Sequence, residues 1–85
     1  MDDFIWIAWN LAKITYHALS HDEVEHAWRH GTILRKRVDV HGVSFESEGN
    51  CPSGRTIKIV WKYDVNRDGL TKVFVITAHG RQSWP

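Results

Sequence analysis

The hydropathy period of this chain changes once, at Gly31, and that change fixes the order of its elements. Before Gly31 the apolar residues recur at helical spacing. After it they alternate with polar ones, as in a strand with one buried face. The clearest local signal lies just before the change. Ser20 and Glu23 form a Ser-x-x-Glu capping box, flanked by Leu19 and Val24 as a hydrophobic staple. Asp22 and Glu23 suit the positive end of a helix dipole. Val24, Ala27 and Trp28 form the stripe to be buried, and Gly31 supplies the stop. A preceding helix is predicted over residues 9–18. There Trp9, Ala12 and Tyr16 form one apolar stripe and Leu11, Ile14 and Ala18 a second. Asn10, Lys13 and His17 share the remaining face. Residues 4–8 are apolar and short, so they read as a first strand or as a lead-in to that helix.

Four strands are predicted after Gly31. Residues 33–41 and 43–48 alternate, with His41-Gly42 as the turn between them. The run from Gly49 to Gly54 is dense in turn formers and reads as a loop. Residues 55–63 place Ile57, Ile59, Trp61 and Tyr63 on one face and Lys58, Val60 and Lys62 on the other. Asn66 to Gly69 marks a hairpin turn. Residues 71–78 are rich in β-branched and aromatic side chains, as a last strand should be. By alternation His79 closes that strand on the side of Val73, Val75 and Thr77. The expected fold is α+β: one domain over residues 1–85, with two short N-terminal helices packed on one face of an antiparallel meander sheet. The other face is left for solvent or ligand.

Composition narrows the class. A chain of 85 residues has a thin core, which five tryptophans partly offset. No apolar run approaches the roughly 20 residues that span a bilayer. The acidic Met1-Asp2-Asp3 start is unlike a signal peptide, and Cys51 has no second cysteine to pair with. A soluble, cytoplasmic domain is the expectation. Charge is uneven. Residues 1–34 carry five acidic and two basic side chains, a net of −3, and residues 35–85 carry nine basic and five acidic, a net of +4. A basic sheet half is either an ordinary solvated surface or the footprint of an anionic partner, nucleic acid being the commonest.

Several residue types could carry chemistry. Imidazole titrates nearest neutral pH, so His79 at a strand end suits general acid or base work, or is simply half exposed. Lys13 and His17, four apart on a helix, can grip a phosphate or merely line an exposed face. Arg55 at a strand mouth either reaches solvent or clamps a phosphate, with Gly54 allowing a close backbone approach. His41, Lys58, Lys62 and Arg81 complete the candidate set. His17 with His21, and His26 with His30, have helical pair spacing, but two ligands make no metal site and neither pair reads His-Glu-x-x-His. No metal or cofactor is expected. Cys51 before Pro52 reads as an incidental loop thiol.

Trp9-Asn10-Leu11-Ala12-Lys13-Ile14-Thr15-Tyr16-His17, followed by Ser20-His21-Asp22-Glu23-Val24-Glu25, resembles the opening of BrnT-like toxins. That family reads W-[DN]-x-x-K-x-x-x-H, a short turn, then a helix with E-V or E-A. Gly54-Arg55 entering an apolar strand, and Val75-Ile76-Thr77-Ala78, resemble two later segments of the same family in the same order. The resemblance implies a RelE-like fold and a ribonuclease toxin that cleaves RNA without metal and arrests growth, with a cognate DNA-binding antitoxin as partner. By family position it points to Lys13, His17 and Arg55, and local chemistry adds His79, Lys58, Lys62 and Arg81. Lys13, Arg55 and His79 are the expected catalytic residues, and His17, Lys58, Lys62 and Arg81 would bind substrate.

Two departures support an alternative. The family usually has Arg where this chain has His79, and its pattern continues into a further basic helix that these 85 residues do not reach. The alternative is a non-catalytic relative of the same fold, of the kind a phage or mobile element carries, that binds protein or nucleic acid.

Overall fold

A computed structural model describes residues 3–65 and 68–80. Its elements are β1 (Phe4–Ile5), α1 (Ala8–Tyr16), α2 (His21–Arg29), β2 (Thr32–Asp39), β3 (Gly42–Asn50), β4 (Thr56–Val65) and β5 (Thr71–Gly80). The fold is α+β, as the change of period at Gly31 predicts. The five strands lie in the order β1-β5-β4-β3-β2. From β2 to β5 the sheet is an antiparallel meander, but β1 pairs parallel to β5, Phe4 opposite Val73 and Ile5 opposite Phe74. The sheet is therefore mixed rather than wholly antiparallel. Residues 4–8 are divided between the two readings open to them: a short strand, then the start of a helix. Among the described residues no helix is long and apolar enough to cross a membrane.

Asn10, expected on the polar face of α1, is instead fully buried. Its Oδ1 accepts from the Ile7 N–H at 2.7 Å, and its Nδ2 donates to the carbonyls of Ile5 at 2.8 Å and Val75 at 3.1 Å. One side chain thus starts α1, ends β1 and ties both to β5. Tyr16, expected on an apolar stripe, is 86% exposed. The helix stops two residues earlier than expected because Ala18 takes a φ of +59°. The Leu19 N–H donates to the Ile14 carbonyl and the Ala18 N–H to the Thr15 carbonyl, the Schellman pattern. Buried Ile14 and Leu19 supply the apolar contact that accompanies it.

The capping box at Ser20 forms as read. Ser20 Oγ accepts from the Glu23 N–H and Glu23 Oε1 accepts from the Ser20 N–H. Val24 and Ala27 are buried, and Trp28 packs edge-on against Trp61 with ring centroids 5.1 Å apart. Helix α2 approaches β3 so closely that a Cβ on Gly49 would collide with the Ala27 carbonyl. Gly49 and Asn50 therefore extend β3, where the composition suggested a loop. The core joins Ile57, Ile59 and Trp61 of β4 to Val73, Val75 and Ala78 of β5. Trp61 keeps its indole N–H satisfied by donating to Ser47 Oγ at 2.8 Å.

The register between β4 and β5 shifts once. Val60 faces Thr77 but Trp61 faces Val75, so Ile76 is an extra residue in β5. Beyond this bulge the alternation of β5 is inverted. Ala78, not Thr77, turns into the core, and Thr77 and His79 share the outer face with their partners Val60 and Lys58. His79 therefore does not lie on the side of Val73 and Val75.

Candidate functional site

The two helices cover one face of the sheet, and the outer face carries the cations. Alternation and register put Lys58, Lys62, Phe74, Thr77 and His79 there, with Arg35, Arg37 and Glu46 from β2 and β3. Helix α1 lies along the β5 edge and adds side chains to the border of this face. Ala12, Lys13, Tyr16 and His17 join Thr77 around a shallow pocket of about 320 Å³. The His17 ring lies 5.8 Å from the His79 ring, centroid to centroid, and the Tyr16 ring packs edge-on against His17 at 5.1 Å. His79, far in sequence from Lys13 and His17, thus joins them at one rim.

Arg55 stands at the same end of the sheet but on the helix-facing side. Its Nη1 donates to the Ala18 carbonyl at 3.4 Å and its Nη2 to the His17 carbonyl at 3.3 Å. A Cβ on Gly80 would meet Arg55 Nη2 at 2.5 Å, so the guanidinium packs closely against the glycine. Arg55 thus closes the C-terminus of α1, where a cation is favoured by the helix dipole. It holds the backbone of His17 beside the strand that bears His79. Two of its five N–H donors are engaged in this way.

The remaining candidates divide. Lys58 lies opposite His79 across the strand pair and reaches Glu46 Oε1 at 3.7 Å. Lys62 holds its Nζ 5.5 Å from the Phe74 ring centroid. His41 sits in the turn between β2 and β3, at the other end of the sheet from His79. Arg81 lies outside the described residues. Among the described residues no group of three or more His, Cys, Asp or Glu could hold a metal ion. The Cys51 thiol is buried, and burial, then the nearby Glu23 carboxylate, push its pKa above the ordinary value, against a smaller pull from Arg55. That direction is the opposite of the one that activates a thiol as a nucleophile.

Sequence reading missed Trp9, Tyr16, Phe74 and Thr77 as site residues. Trp9 and Tyr16 share an apolar stripe by helical spacing, yet Trp9 is 50% exposed. The Trp9 and Phe74 rings stack with centroids 5.9 Å apart and planes 24° apart. Lys13 Nζ sits 4.6 Å from the Trp9 centroid. The available signal was the Lys four residues after Trp9, which places the ammonium one helical turn from the indole. The chain matches no protein-family profile, no curated protein and no solved structure.

Proposed function

We propose that this protein is a metal-independent endoribonuclease of the RelE-like, BrnT-like toxin type, acting on RNA at the rim between α1 and β5. The observation that carries the reading is the approach of the His17 and His79 rings to 5.8 Å beside the Lys13 pocket. Metal-free cleavage needs a base for the 2′-hydroxyl, an acid for the leaving 5′-oxygen and a cation for the charge that grows on the phosphorane. A proton on His79 Nδ1, shared with the Gly80 carbonyl at 3.4 Å, leaves Nε2 with a free lone pair. His79 then takes the 2′-hydroxyl proton as that oxygen attacks phosphorus. His17, in its protonated form, gives a proton to O5′ as the P–O5′ bond breaks. The products are a 2′,3′-cyclic phosphate and a free 5′-hydroxyl. Lys13 supports the negative charge, and Lys58 and Lys62 hold flanking phosphates. In a cell the expected consequence is growth arrest, relieved by a cognate DNA-binding antitoxin. The assignment adds His17 to the proton-transfer pair and moves Arg55 from phosphate clamp to positioning residue.

The engagement of Arg55 with backbone carbonyls favours a second reading, a non-catalytic module that binds RNA on the same face. One experiment separates the two. End-labelled RNA is incubated with purified protein in excess EDTA, and the product ends are identified. Cleavage to 2′,3′-cyclic phosphate, with a bell-shaped pH dependence and a loss of about 100-fold or more in both His17→Ala and His79→Ala, supports the ribonuclease. RNA that is bound but left intact by the native protein supports the module.

A further inference from the structure

We propose that Trp9 and Phe74 form a stacking site for an unpaired nucleobase, which makes single-stranded RNA the ligand of this face. The proposal rests on the reading above in taking RNA as the ligand, but it does not depend on cleavage.

The geometry is a row of four side chains from three elements. Lys13 of α1 lies over Trp9, Trp9 stacks on Phe74 of β5, and Lys62 of β4 lies over Phe74. Cations at both ends with rings between them match the alternation of phosphate and base in a single strand. Neither ring is needed to fill the core. Phe74 faces away from Val73 and Val75, which are fully buried, and Trp9 is half exposed. A tryptophan left half in water on a basic face is a ready platform, because every base has a π-face to lay on it.

An incoming base must displace the Lys13 ammonium from the indole. An exposed cation–π contact of this kind is worth about two- to fivefold in an equilibrium constant. Stacking a base on an aromatic side chain is worth about five- to a hundredfold. The exchange favours the base, and the displaced ammonium is then free to pair with the adjoining phosphate. Lys13 also lines the pocket with His17 and Thr77. A base on Trp9 therefore delivers a neighbouring phosphate toward the histidine pair. In a duplex the bases are already stacked and paired, and their faces are not available to the platform.

The test is fluorescence anisotropy with a labelled 12-nucleotide RNA in EDTA, using the His79→Ala protein so that the strand stays intact. The comparison ligands are the same strand as a duplex and an abasic strand of equal length. The expected result is at least tenfold tighter binding of the single strand than of either. Trp9→Leu and Phe74→Leu should each weaken it by about five- to a hundredfold without changing the salt slope. Trp9→Tyr, which keeps a ring, should retain most of the affinity and guards against a merely misfolded Trp9→Leu. Lys13→Gln and Lys62→Gln should each lower the slope of log K against log salt by about 0.7. Equal binding of the abasic strand or the duplex, an unchanged affinity in Trp9→Leu, or no binding of RNA would overturn the proposal. Failure of cleavage with tight, base-dependent binding would overturn only the ribonuclease reading.

Discussion

Asn10 shows how much one polar side chain can organise when it is buried. Its three hydrogen bonds satisfy the Ile7 N–H and the Ile5 and Val75 carbonyls, and the one to Val75 is buried away from water. Asn10→Leu keeps the volume but leaves those groups unpaired. The expected cost is about 2–4 kcal/mol, which for a domain of this size lowers Tm by roughly 10–25 °C. Thermal unfolding followed by circular dichroism checks this, and a shift of less than a few degrees would mean that the three bonds carry little. Helical periodicity placed Asn10 with Lys13 and His17 because a polar side chain at that spacing normally faces water. The motif W-[DN] carried the better clue, since Asn or Asp just inside a helix start can accept from the backbone, but periodicity alone cannot say whether such a residue is enclosed. Lys13 and His17 were placed correctly, because they continue the same helical row toward the rim where β5 ends.

The start of α2 and the stop of α1 use different devices, and only one of them was legible. The Ser20 box of α2 has a sequence signature, and its reciprocal hydrogen bonds form as read. The stop of α1 depends on Ala18 in the left-handed region, a conformation that usually calls for glycine and so left no mark in the sequence. Leu19 completes that stop by donating to Ile14 across the turn, and Arg55 covers the carbonyls that follow. An L-residue there costs roughly 1–2 kcal/mol. Glycine removes that strain but gives the unfolded chain more freedom, a loss of about 0.4–1 kcal/mol. Ala18→Gly should therefore stabilise the protein by about 0.5–1 kcal/mol and raise Tm by about 2–8 °C. Denaturant titration should show the higher midpoint with an unchanged slope. A lower midpoint would mean that the alanine methyl makes contacts worth more than the strain. The bulge at Ile76 was hidden for a related reason. Residues 71–78 alternate well enough to be read as a strand, but an extra residue in one strand shows only when its partner's register is known.

At the scale of the whole molecule, the meander from β2 to β5 could be read because each strand pairs with its neighbour in sequence; Asn66 and Arg67, of the turn expected between β4 and β5, lie outside the described residues. The parallel β1 could not be read. It joins β5 across almost the full length of the chain, through two backbone-paired residues, Phe4 and Ile5, and the Val73 N–H that donates to Asp3. That contact and α1 cover one edge of the sheet. The other edge, β2, is exposed along all eight residues and carries Ile33, Leu34 and Val38 at the surface. An open, partly apolar edge is a template for strand pairing between molecules unless charge prevents it. Arg35, Lys36 and Arg37 stand in succession at its centre. Two such edges brought together antiparallel would face six cations against one another, and like charges opposed across strands are unfavourable. The row thus opposes edge-to-edge pairing as well as adding to the basic face. Replacing all three with threonine keeps strand propensity and removes the repulsion. The variant should sediment with a weight-average coefficient that rises with protein concentration, and rises more steeply than that of the native protein over the same range. Matching concentration dependence in the two proteins would show that something other than this charge row keeps the edge unpaired.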